Sequence, residues 1–265
     1  MTASDTIGED IAVTNRIDIN ADIAESFGRW NLGEDNELVK LVTTVNVACG
    51  WHAGDPSTMH RSVEMAAAAG VNIGAHPGFP DLLGFGRRPI VIDDTDAVDY
   101  VLYQVGALMG VASRFGVELS HVKPHGAFYG SIVGSAARAV AIGQALQGLQ
   151  KGIPMLLAPG PGTDALRAAG LPVIADNAAD LDFDEDGRNI IEPRPGPRDP
   201  QLVAQQALRM ARGTVLTVSG REIPMSVQTV CVHGDRPNVI AVATEVRRVL
   251  ADNGVAVRSV FQDDR

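Results

Sequence analysis

Positive charge is in short supply in this chain, which has 22 lysine and arginine residues, 32 aspartate and glutamate residues and a formal net charge of −10. An acidic surface is unfavourable for nucleic acids and anionic membranes, so neither is an expected partner. Cysteine is scarcer still, with Cys49 and Cys231 only, which excludes a disulfide framework. We predict two buried free thiols in a reducing cytoplasm.

Long apolar runs are also absent, and no stretch reaches the ~20 apolar residues of a membrane span. Met1–Asn15 lacks the basic start and apolar centre of a signal peptide. We predict a disordered tail over 1–15 and a single catalytic domain over 16–265. The patterns G-x-x-x-x-G-K-[ST] and G-x-S-x-G are missing, which argues against a P-loop nucleotide site and an α/β-hydrolase mechanism.

Strand and helix signals alternate along the chain. Strands are predicted at Arg16–Ile23, Thr43–Ala48, Val71–Ala75, Val117–Lys123, Pro154–Ala158, Pro172–Ala175, Thr214–Val218, Pro224–Val232 and Val255–Val260. Helices are predicted at Glu34–Val42, Pro56–Ala69, Asp94–Phe115, Ser131–Gln150, Thr163–Ala169, Pro200–Ala211 and Asn238–Asp252. Asn177–Pro200 is expected to be irregular, and the two strands that flank Ser219-Gly220 are expected to pair through that turn.

This alternation implies right-handed crossovers and a mainly parallel sheet. About seven β/α units in one domain suit a closed or nearly closed barrel, and an open doubly wound sheet is the alternative. In both architectures, ligands bind at the carboxyl ends of the strands.

Five of the six histidines lie in short runs punctuated by glycine or proline, each just after a strand signal. They are His52, His76, His121, His125 and His233. Imidazole supports acid–base chemistry near neutral pH and binds metals, and glycine lets the backbone approach a ligand closely. Four such loops at strand ends would form one polar pocket, which points to an enzyme.

The first strand has an unusual polar face. Asp18, Asn20 and Asp22 alternate with apolar residues and so share one side of the strand, and Glu25 follows just beyond it. A solvated edge strand would explain the pattern without any function. Alternatively, Asp22 with His52 and His76 (the histidine-loop residues nearest in sequence) is a plausible set of ligands for a divalent metal ion.

Lys123 and His125 stand two positions apart and point to the same side of an extended backbone. Together they could polarise a carbonyl and move a proton. The structural alternative for such a histidine is one that only forms hydrogen bonds with backbone groups. We favour this alternative for His121. On a later strand, His233 and Asp235 form a similar pair.

Arg87 and Arg88 lie in the glycine-rich loop Gly84-Phe85-Gly86-Arg87-Arg88. An arginine there could bind a carboxylate or phosphate through two parallel hydrogen bonds. A surface ion pair is the alternative.

Taken together, these runs resemble the LamB/YcsF family, which supplies the A subunit of the bacterial ATP-dependent 5-oxoprolinase. The resemblance extends from Arg16 to about Gly254. The matching runs are Ile17 to Asp22, Cys49 to Pro56, Gly74 to Asp81, Gly84 to Arg88, Ser120 to Tyr129 and Cys231 to Asp235.

The resemblance implies a fold of the α/β class, an irregular seven-stranded β/α barrel similar to the glycoside hydrolase/deacetylase superfamily, in a single domain. It implies opening of the 5-oxo-L-proline lactam to L-glutamate, coupled to ATP hydrolysis, with partner subunits B and C. The missing P-loop is consistent with phosphoryl transfer that is shared with those partners.

Roles follow as hypotheses from this chemistry. Asp22 or Glu25 would be the base for water, Lys123 and His125 would stabilise developing charge, and Arg87 or Arg88 would hold the substrate carboxylate. Further substrate contacts would come from Asn20, His52, His76, His233 and Asp235. A divalent metal, if bound, would use Asp22, His52 and His76.

The chain departs from the family pattern at three places. Ala24 stands where the family usually has glycine, Gly130 replaces the usual asparagine, and Leu181 replaces an arginine. Two other functions therefore compete: a metal-dependent deacetylase or other carbohydrate-acting hydrolase, and a non-catalytic subunit that binds substrate without turnover.

Overall fold

The computed structural model describes residues 15–192 and 194–261. The predicted tail lies outside this range except for Asn15. Within these residues, the structure has eleven strands: β1 Arg16–Ile23, β2 Thr44–Ala48, β3 Asn72–His76, β4 Met155–Leu157, β5 Val173–Ala178, β6 Asp182–Phe183, β7 Asn189–Ile190, β8 Thr214–Leu216, β9 Glu222–Pro224, β10 Thr229–Val232 and β11 Ala256–Val257. The same residues form eight α-helices: α1 Asp35–Leu38, α2 Pro56–Ala69, α3 Asp94–Ser113, α4 Gly126–Val133, α5 Ala136–Leu149, α6 Pro161–Ala168, α7 Pro200–Ala211 and α8 Val239–Asp252.

The strands build an irregular parallel barrel. Six of them pair in the order β3-β2-β1-β10-β5-β4, and every pair is parallel. Val122 joins the two outer strands through isolated parallel bridges to Ala75 on β3 and Met155 on β4. The segment around Val122 therefore occupies the position of a seventh strand. The irregular seven-stranded barrel predicted from the sequence is confirmed.

The apolar core follows from strand alternation. On β1, Ile17, Ile19, Ala21 and Ile23 are fully buried on the face opposite the polar residues. They belong to one apolar cluster with residues of the surrounding helices, such as Leu108 of α3. The other face of β1 points into the barrel, where polar side chains meet one another.

Helix α2 begins and ends where the sequence predicts. The Asp55 side chain accepts from the backbone N–H of Ser57 at 3.0 Å, and Pro56 occupies the first turn. The helix ends at Gly70, whose φ of 70° lies in the left-handed region that favours glycine. This start places the loop that carries His52 directly over the barrel end.

Several predicted elements are wrong in part. Val117–Lys123 forms only the isolated bridges at Val122 and not a regular strand. Ser131–Gln150 is two helices, because Ser135 caps α5 by accepting from the Arg138 N–H at 3.3 Å. Strand β8 pairs with β9 and not with Thr229–Val232, which is buried on both faces and lies between β1 and β5.

Strand β5 is longer than predicted and continues to Ala178. The segment after it, expected to be irregular, contains the short antiparallel pair of β6 and β7. Among residues 15–192 and 194–261, no helix has the length and apolar character that crossing a membrane requires. Cys49 and Cys231 are both buried and unpaired, as predicted.

Candidate active site

Polar side chains meet at the carboxyl ends of the barrel strands, where ligands bind in β/α barrels. They line a cleft at this end of the barrel. The lining includes Asp22, His76, Lys123, Tyr129, Asp176, Cys231 and His233. An adjoining hollow shares His233 and adds Arg87, His125 and Asp235. Most of the predicted site residues are therefore brought to one place.

Lys123 is the centre of the buried charge network. Its Nζ donates to Asn20 Oδ1 at 3.0 Å and to Asp22 Oδ1 at 3.1 Å, and it lies 2.8 Å from Cys231 Sγ. Burial alone would lower the pKa of Lys123, but the carboxylates of Asp176 and Asp22 outweigh it and hold that pKa well above its ordinary value. Lys123 is therefore an ammonium ion at neutral pH.

Asp22 is the negative partner of Lys123. Its Oδ1 also accepts from Asn46 Nδ2 at 2.7 Å, and its Oδ2 lies 3.3 Å from His76 Nε2. Burial would raise the pKa of Asp22, but His76 and Lys123 hold it well below its usual range. Asp22 is therefore ionised, and Oδ2 is its less heavily bonded oxygen.

Glu25 faces three imidazoles. Its Oε1 lies 3.4 Å from His125 Nδ1, 3.5 Å from His52 Nε2 and 4.0 Å from His76 Nε2. Burial, and next the negative charge of Asp235, raise the pKa of Glu25 well above its ordinary value. Two carboxylates of the same site are thus driven to opposite protonation states.

His52 is fully buried, yet neither of its ring nitrogens has a hydrogen-bond partner. Its ring stacks on that of His125, with the centroids 3.8 Å apart and the planes 2° from parallel. Burial lowers the pKa of both His52 and His125 well below the ordinary value. Both rings are therefore neutral and have a free lone pair.

Backbone carbonyls determine which nitrogens of His76 and His125 carry the protons. His76 Nδ1 lies 2.6 Å from the Lys123 carbonyl oxygen, and His125 Nε2 lies 2.8 Å from the Phe85 carbonyl oxygen. A carbonyl only accepts, so these two nitrogens are the donors. The other nitrogens, His76 Nε2 and His125 Nδ1, face each other at 3.0 Å.

Glycines make room for the imidazoles. A Cβ on Gly78 would lie 2.5 Å from His52 Nδ1, and one on Gly86 would lie 2.8 Å from His125 Cδ2. The buried Gln104 side chain fixes the Gly78 backbone, because it accepts from the Gly78 N–H at 2.9 Å and donates to the Gly78 carbonyl at 3.0 Å. The glycine-rich runs around the histidines are thus a packing requirement of the site.

Two groups of side chains in the described part of the chain could hold a metal ion. One contains Glu25, His52, His76 and His125, and the other contains Asp22, Cys231 and His233. In each group, the ligand atoms lie within 4.8 Å of one another. The predicted metal set of Asp22, His52 and His76 is divided between these two groups.

His233 is held in place by Asp180. The His233 N–H donates to Asp180 Oδ2 at 3.0 Å, and Nδ1 lies 2.8 Å from Asp180 Oδ1. Arg236 Nε also donates to Asp180, at 2.8 Å. Burial would lower the pKa of His233, but the charge of Asp180 raises it above the ordinary value. The free edge of the ring, Nε2, lies 3.9 Å from Asp22 Oδ2.

The two arginines of the glycine-rich loop have different surroundings. Arg87 is largely buried beside the cleft, where its Nη2 lies 2.8 Å from Asp235 Oδ2 and its guanidinium lies 5.0 Å from the Phe85 ring centroid. Arg88 is 66% exposed and its Nε donates to Asp81 at 2.9 Å. Arg88 therefore forms the surface ion pair that was the alternative, and only Arg87 remains a candidate for substrate binding.

Asn20 and His121 lie inside the barrel and line neither hollow. Asn20 Nδ2 donates to Asp176 Oδ1 at 2.8 Å, and Asn20 Oδ1 accepts from Asn46 and Lys123 at 2.8 and 3.0 Å. His121 Nε2 lies 2.6 Å from Asn46 Oδ1. The amide of Asn20 is fully used within the protein, where its oxygen accepts from Lys123.

Three residues of the site were missed by the sequence argument. Asp176 lies 3.8 Å from Lys123 Nζ, Tyr129 donates to Asp176 at 3.3 Å, and Asp180 holds His233. The predicted end of β5 at Ala175 left Asp176 outside the barrel. Had the strand been extended from Ala175 to Ala178, its alternation would have placed Asp176 on the face that points into the barrel.

Comparison with known proteins agrees with this architecture. The sequence profile of the LamB/YcsF family matches residues 17–264. The A subunit of 5-oxoprolinase from Thermococcus onnurineus (strain NA1) is 40% identical over 246 residues, which cover 91% of this chain and 96% of that protein.

Solved structures show the same fold. The lactam utilization protein from Thermus thermophilus superposes with a TM-score of 0.83 at 38% identity, over 92% of this chain and 99% of that one. A peptidoglycan N-acetylglucosamine deacetylase superposes with a TM-score of 0.50 at 10% identity, over 93% and 86% of the two chains, which is a likeness of fold alone. The chain therefore belongs to the LamB/YcsF family.

Proposed function

We propose that this chain binds and opens 5-oxo-L-proline to give L-glutamate, as the A subunit of an ATP-dependent 5-oxoprolinase. The observation that carries the proposal is the buried pair of Lys123 and Asp22 beside the cleft, in which the ammonium group lies 3.1 Å from the carboxylate and each group favours the charged form of the other. The names of the two similar proteins, the A subunit of a 5-oxoprolinase and a lactam utilization protein, support a lactam as the substrate.

A lactam needs activation, because its carbonyl is a weak electrophile and its nitrogen a poor leaving group. In the proposed sequence, the lactam oxygen attacks the γ-phosphorus of ATP, and ADP leaves. Water adds to the activated carbon and gives up a proton, the C–N bond breaks, and the nitrogen takes a proton. A second water hydrolyses the resulting acyl phosphate to glutamate and phosphate.

Asp22 is the base in this scheme. It is ionised, and its Oδ2 is available toward His76 and the cleft. Glu25 is less suited, since burial raises its pKa and favours the protonated form. The Lys123 ammonium ion opposes the negative charge that develops on the substrate oxygen or phosphate. His125 is neutral and turned toward His76, so we remove it from charge stabilisation.

Arg87 is the proposed site for the substrate carboxylate. Its Nη2 is paired with Asp235, and the planar guanidinium has further N–H donors for a second carboxylate. Leu181 lines both hollows at the position where the family usually has arginine. With that arginine absent, Arg87 takes a larger share of anion binding in this chain.

The ATP site is assigned to the partner subunits B and C, or to a surface shared with them. The missing P-loop sequence is consistent with this assignment. It makes this chain the part of the enzyme that holds the lactam, while the partners supply the phosphoryl donor.

The proposal is tested by measuring glutamate formed from 5-oxoproline by the full chain, with and without ATP and the co-expressed partner subunits. We expect turnover only with ATP and all subunits. Removal of a general base or a charge-stabilising group costs roughly 10²–10⁴-fold, so Asp22→Asn and Lys123→Met should each fall by at least about 100-fold. His60→Gln, on α2 and outside the cleft, is the matched control. Wild-type turnover in both site variants would refute the assigned roles.

A metal-dependent deacetylase is the second candidate, and the buried group of Glu25 with three histidines favours it. It predicts release of acetate from acetylated sugars by the chain alone with added Zn²⁺, and no need for ATP. Binding of 5-oxoproline without turnover in the complete complex would instead support the non-catalytic role.

A further inference from the structure

Glu25, His52, His76 and His125 form a buried group whose polar atoms are short of partners. Glu25 is 6% exposed and His52, His76 and His125 are 0–2% exposed. Glu25 Oε1 and both ring nitrogens of His52 make no hydrogen bond within the described chain. Burial of a polar atom without a partner costs about 1–3 kcal/mol, so three such atoms in one place require an explanation.

The contact between His76 and His125 deepens the problem. When both rings are neutral, their outer nitrogens donate to the backbone carbonyls of Lys123 and Phe85, so the inner nitrogens, 3.0 Å apart, are both acceptors. Two lone pairs at that distance repel each other. The same inner His76 nitrogen also lies 3.3 Å from Asp22 Oδ2, another acceptor. Something positively charged is needed between these atoms.

A single proton does not meet this need. A proton on His76 Nε2 could bond to His125 Nδ1 or to Asp22 Oδ2, and a proton on Glu25 could bond to one facing imidazole, but at least one nitrogen of His52 would still lack a partner. A cation with several coordination positions satisfies all of these atoms together. The four residues have the composition of a metal site, three imidazoles and one carboxylate.

The distances agree with a common ion. Donor atoms at about 2.1 Å from one ion can lie no more than about 4.2 Å apart. The four measured separations are 3.0 Å for His76–His125, 3.4 Å for Glu25–His125, 3.5 Å for Glu25–His52 and 4.0 Å for Glu25–His76. The widest pair lies within 4.8 Å, and the His52 ring, which stacks parallel to that of His125, must also rotate before both rings direct a lone pair at one ion.

We propose that Glu25, His52, His76 and His125 together bind one divalent transition-metal ion of the Zn²⁺ class. Imidazole nitrogen with one carboxylate selects Zn²⁺ and its neighbours over Mg²⁺ and Ca²⁺, which prefer all-oxygen sites. The carbonyls that hold His76 and His125 orient those rings as outer-shell partners of metal-ligating histidines do. Two of the three ligands predicted from the sequence, His52 and His76, belong to this set.

The neighbouring group of Asp22, Cys231 and His233 is less suitable for an ion. Asp22 Oδ1 already accepts from Asn46 and Lys123, and the Lys123 ammonium group lies 2.8 Å from Cys231 Sγ. An ion at that position would be repelled by the lysine. In the four-residue group, by contrast, no lysine or arginine is paired with a ligand atom in the described chain.

The site adjoins the cleft, since His76 lines the cleft and His125 lines the adjoining hollow. When bound, such an ion supplies Lewis-acid polarisation of a substrate oxygen. The metal proposal does not depend on 5-oxoprolinase activity and extends beyond it. It holds equally for the deacetylase alternative.

The test uses the full purified chain, first for bound metal by mass spectrometry. The chain is then stripped with a chelator and titrated with Zn²⁺ by calorimetry and with Co²⁺ by visible absorption. We expect one ion per chain, a Co²⁺ spectrum with nitrogen ligation, and no saturable binding of Mg²⁺. Loss of one ligand should weaken Zn²⁺ affinity at least 10-fold in His52→Gln, His125→Gln and Glu25→Gln.

Two controls keep the result interpretable. His60→Gln removes a histidine outside the group and should retain wild-type affinity. Cys231→Ser tests the neighbouring group and should also bind Zn²⁺ normally. Should a ligand variant unfold, the wild-type chain still decides the matter, because an ion that binds the folded state raises Tm with concentration.

Three results would overturn the proposal. They are failure of the stripped wild-type chain to bind Zn²⁺ or Co²⁺, unchanged affinity in folded His52→Gln and His125→Gln, and loss of affinity only in Cys231→Ser. Glutamate formation plays no part in these outcomes, so failure of the metal site and failure of the proposed reaction are distinguished.

Discussion

Replacement of Gly78 by alanine tests how tightly the imidazole group is packed. The new Cβ would lie 2.5 Å from His52 Nδ1, about 0.9 Å inside the ordinary contact range. Gln104 holds the Gly78 backbone by both its N–H and its carbonyl, so the backbone cannot retreat. The His52 ring must move instead, and it is stacked on His125.

Overpacking of a buried site costs about 1–3 kcal/mol, and the fixed backbone places Gly78→Ala in the upper part of that range. A loss of about 2–3 kcal/mol lowers Tm by roughly 4–12 °C for a domain of this size. Thermal unfolding followed by circular dichroism measures the shift. Gly110→Ala is the matched control, because Gly110 lies in α3 with nothing within 4 Å of its added Cβ.

The control should be more stable than wild type by about 0.5–1 kcal/mol, since alanine is the better helix former. The two glycine variants are therefore expected to shift Tm in opposite directions. A Gly78→Ala chain that melts at or above the wild-type temperature would show that His52 has room to move. The argument that glycine is required there by packing would then be incorrect.

Three further predictions concern single side chains. Asp55→Ala removes the cap of α2 and the hydrogen bond that Asp55 accepts from the Gly28 N–H at 2.9 Å. It should lower the free energy of unfolding, measured in urea, by about 1–2 kcal/mol, and an unchanged midpoint would contradict the capping role. Arg87→Ala should raise KM for 5-oxoproline at least 10-fold, whereas Arg88→Ala should leave KM within twofold, and equal effects would contradict the assignment of the cleft arginine. Burial raises the pKa of Asp35 to about 6, so its folded form holds a proton that the unfolded form loses, and this contribution to stability is present below pH 4 and is lost as pH rises toward 6. Asp35→Asn should therefore gain stability relative to wild type by roughly 2–3 kcal/mol between pH 4 and 7, and a constant difference across that range would refute the shift.

The barrel could be predicted because its strands and helices carry strong local signals. Asp55, Pro56 and Gly70 mark both ends of α2, and the alternation of Arg16–Ile23 fixes which side chains enter the barrel. The segment at Val122 could not be identified as an irregular seventh strand, because its pairing depends on two distant strands and not on its own composition. Tertiary contacts decided that element.

The sequence predicts where the site lies better than it predicts which residues contact one another there. The histidine loops meet because the carboxyl ends of parallel strands meet, which follows from topology. Which residues touch is a matter of a few ångströms: Glu25 lies with the three imidazoles, while Asp22 lies with Lys123. Arg87 and Arg88 are adjacent in sequence, and only the turn between them decides which one lies beside the cleft.

One departure from the family pattern has a structural meaning. Ala24 has a φ of 63°, in the left-handed region where glycine is favoured, and its N–H is held by Asp35 Oδ2 at 2.8 Å. This backbone conformation accounts for the glycine that the resemblance leads us to expect at this position. Alanine adopts the same conformation here, and it leaves Glu25 directed at the imidazoles.

The inner and outer faces of the barrel strands differ in how they contribute to folding stability. The apolar residues of β1 pack outward, and the inward residues are joined to one another by hydrogen bonds and ion pairs. Folding free energy from apolar burial is thus concentrated in the outer layer, away from the groups that do chemistry. Residues that face the inside of the barrel can then be replaced to change the substrate while the fold remains stable, provided that each replacement leaves the neighbouring side chains with hydrogen-bond partners. That separation makes the barrel a suitable starting point for selecting activity on cyclic amides.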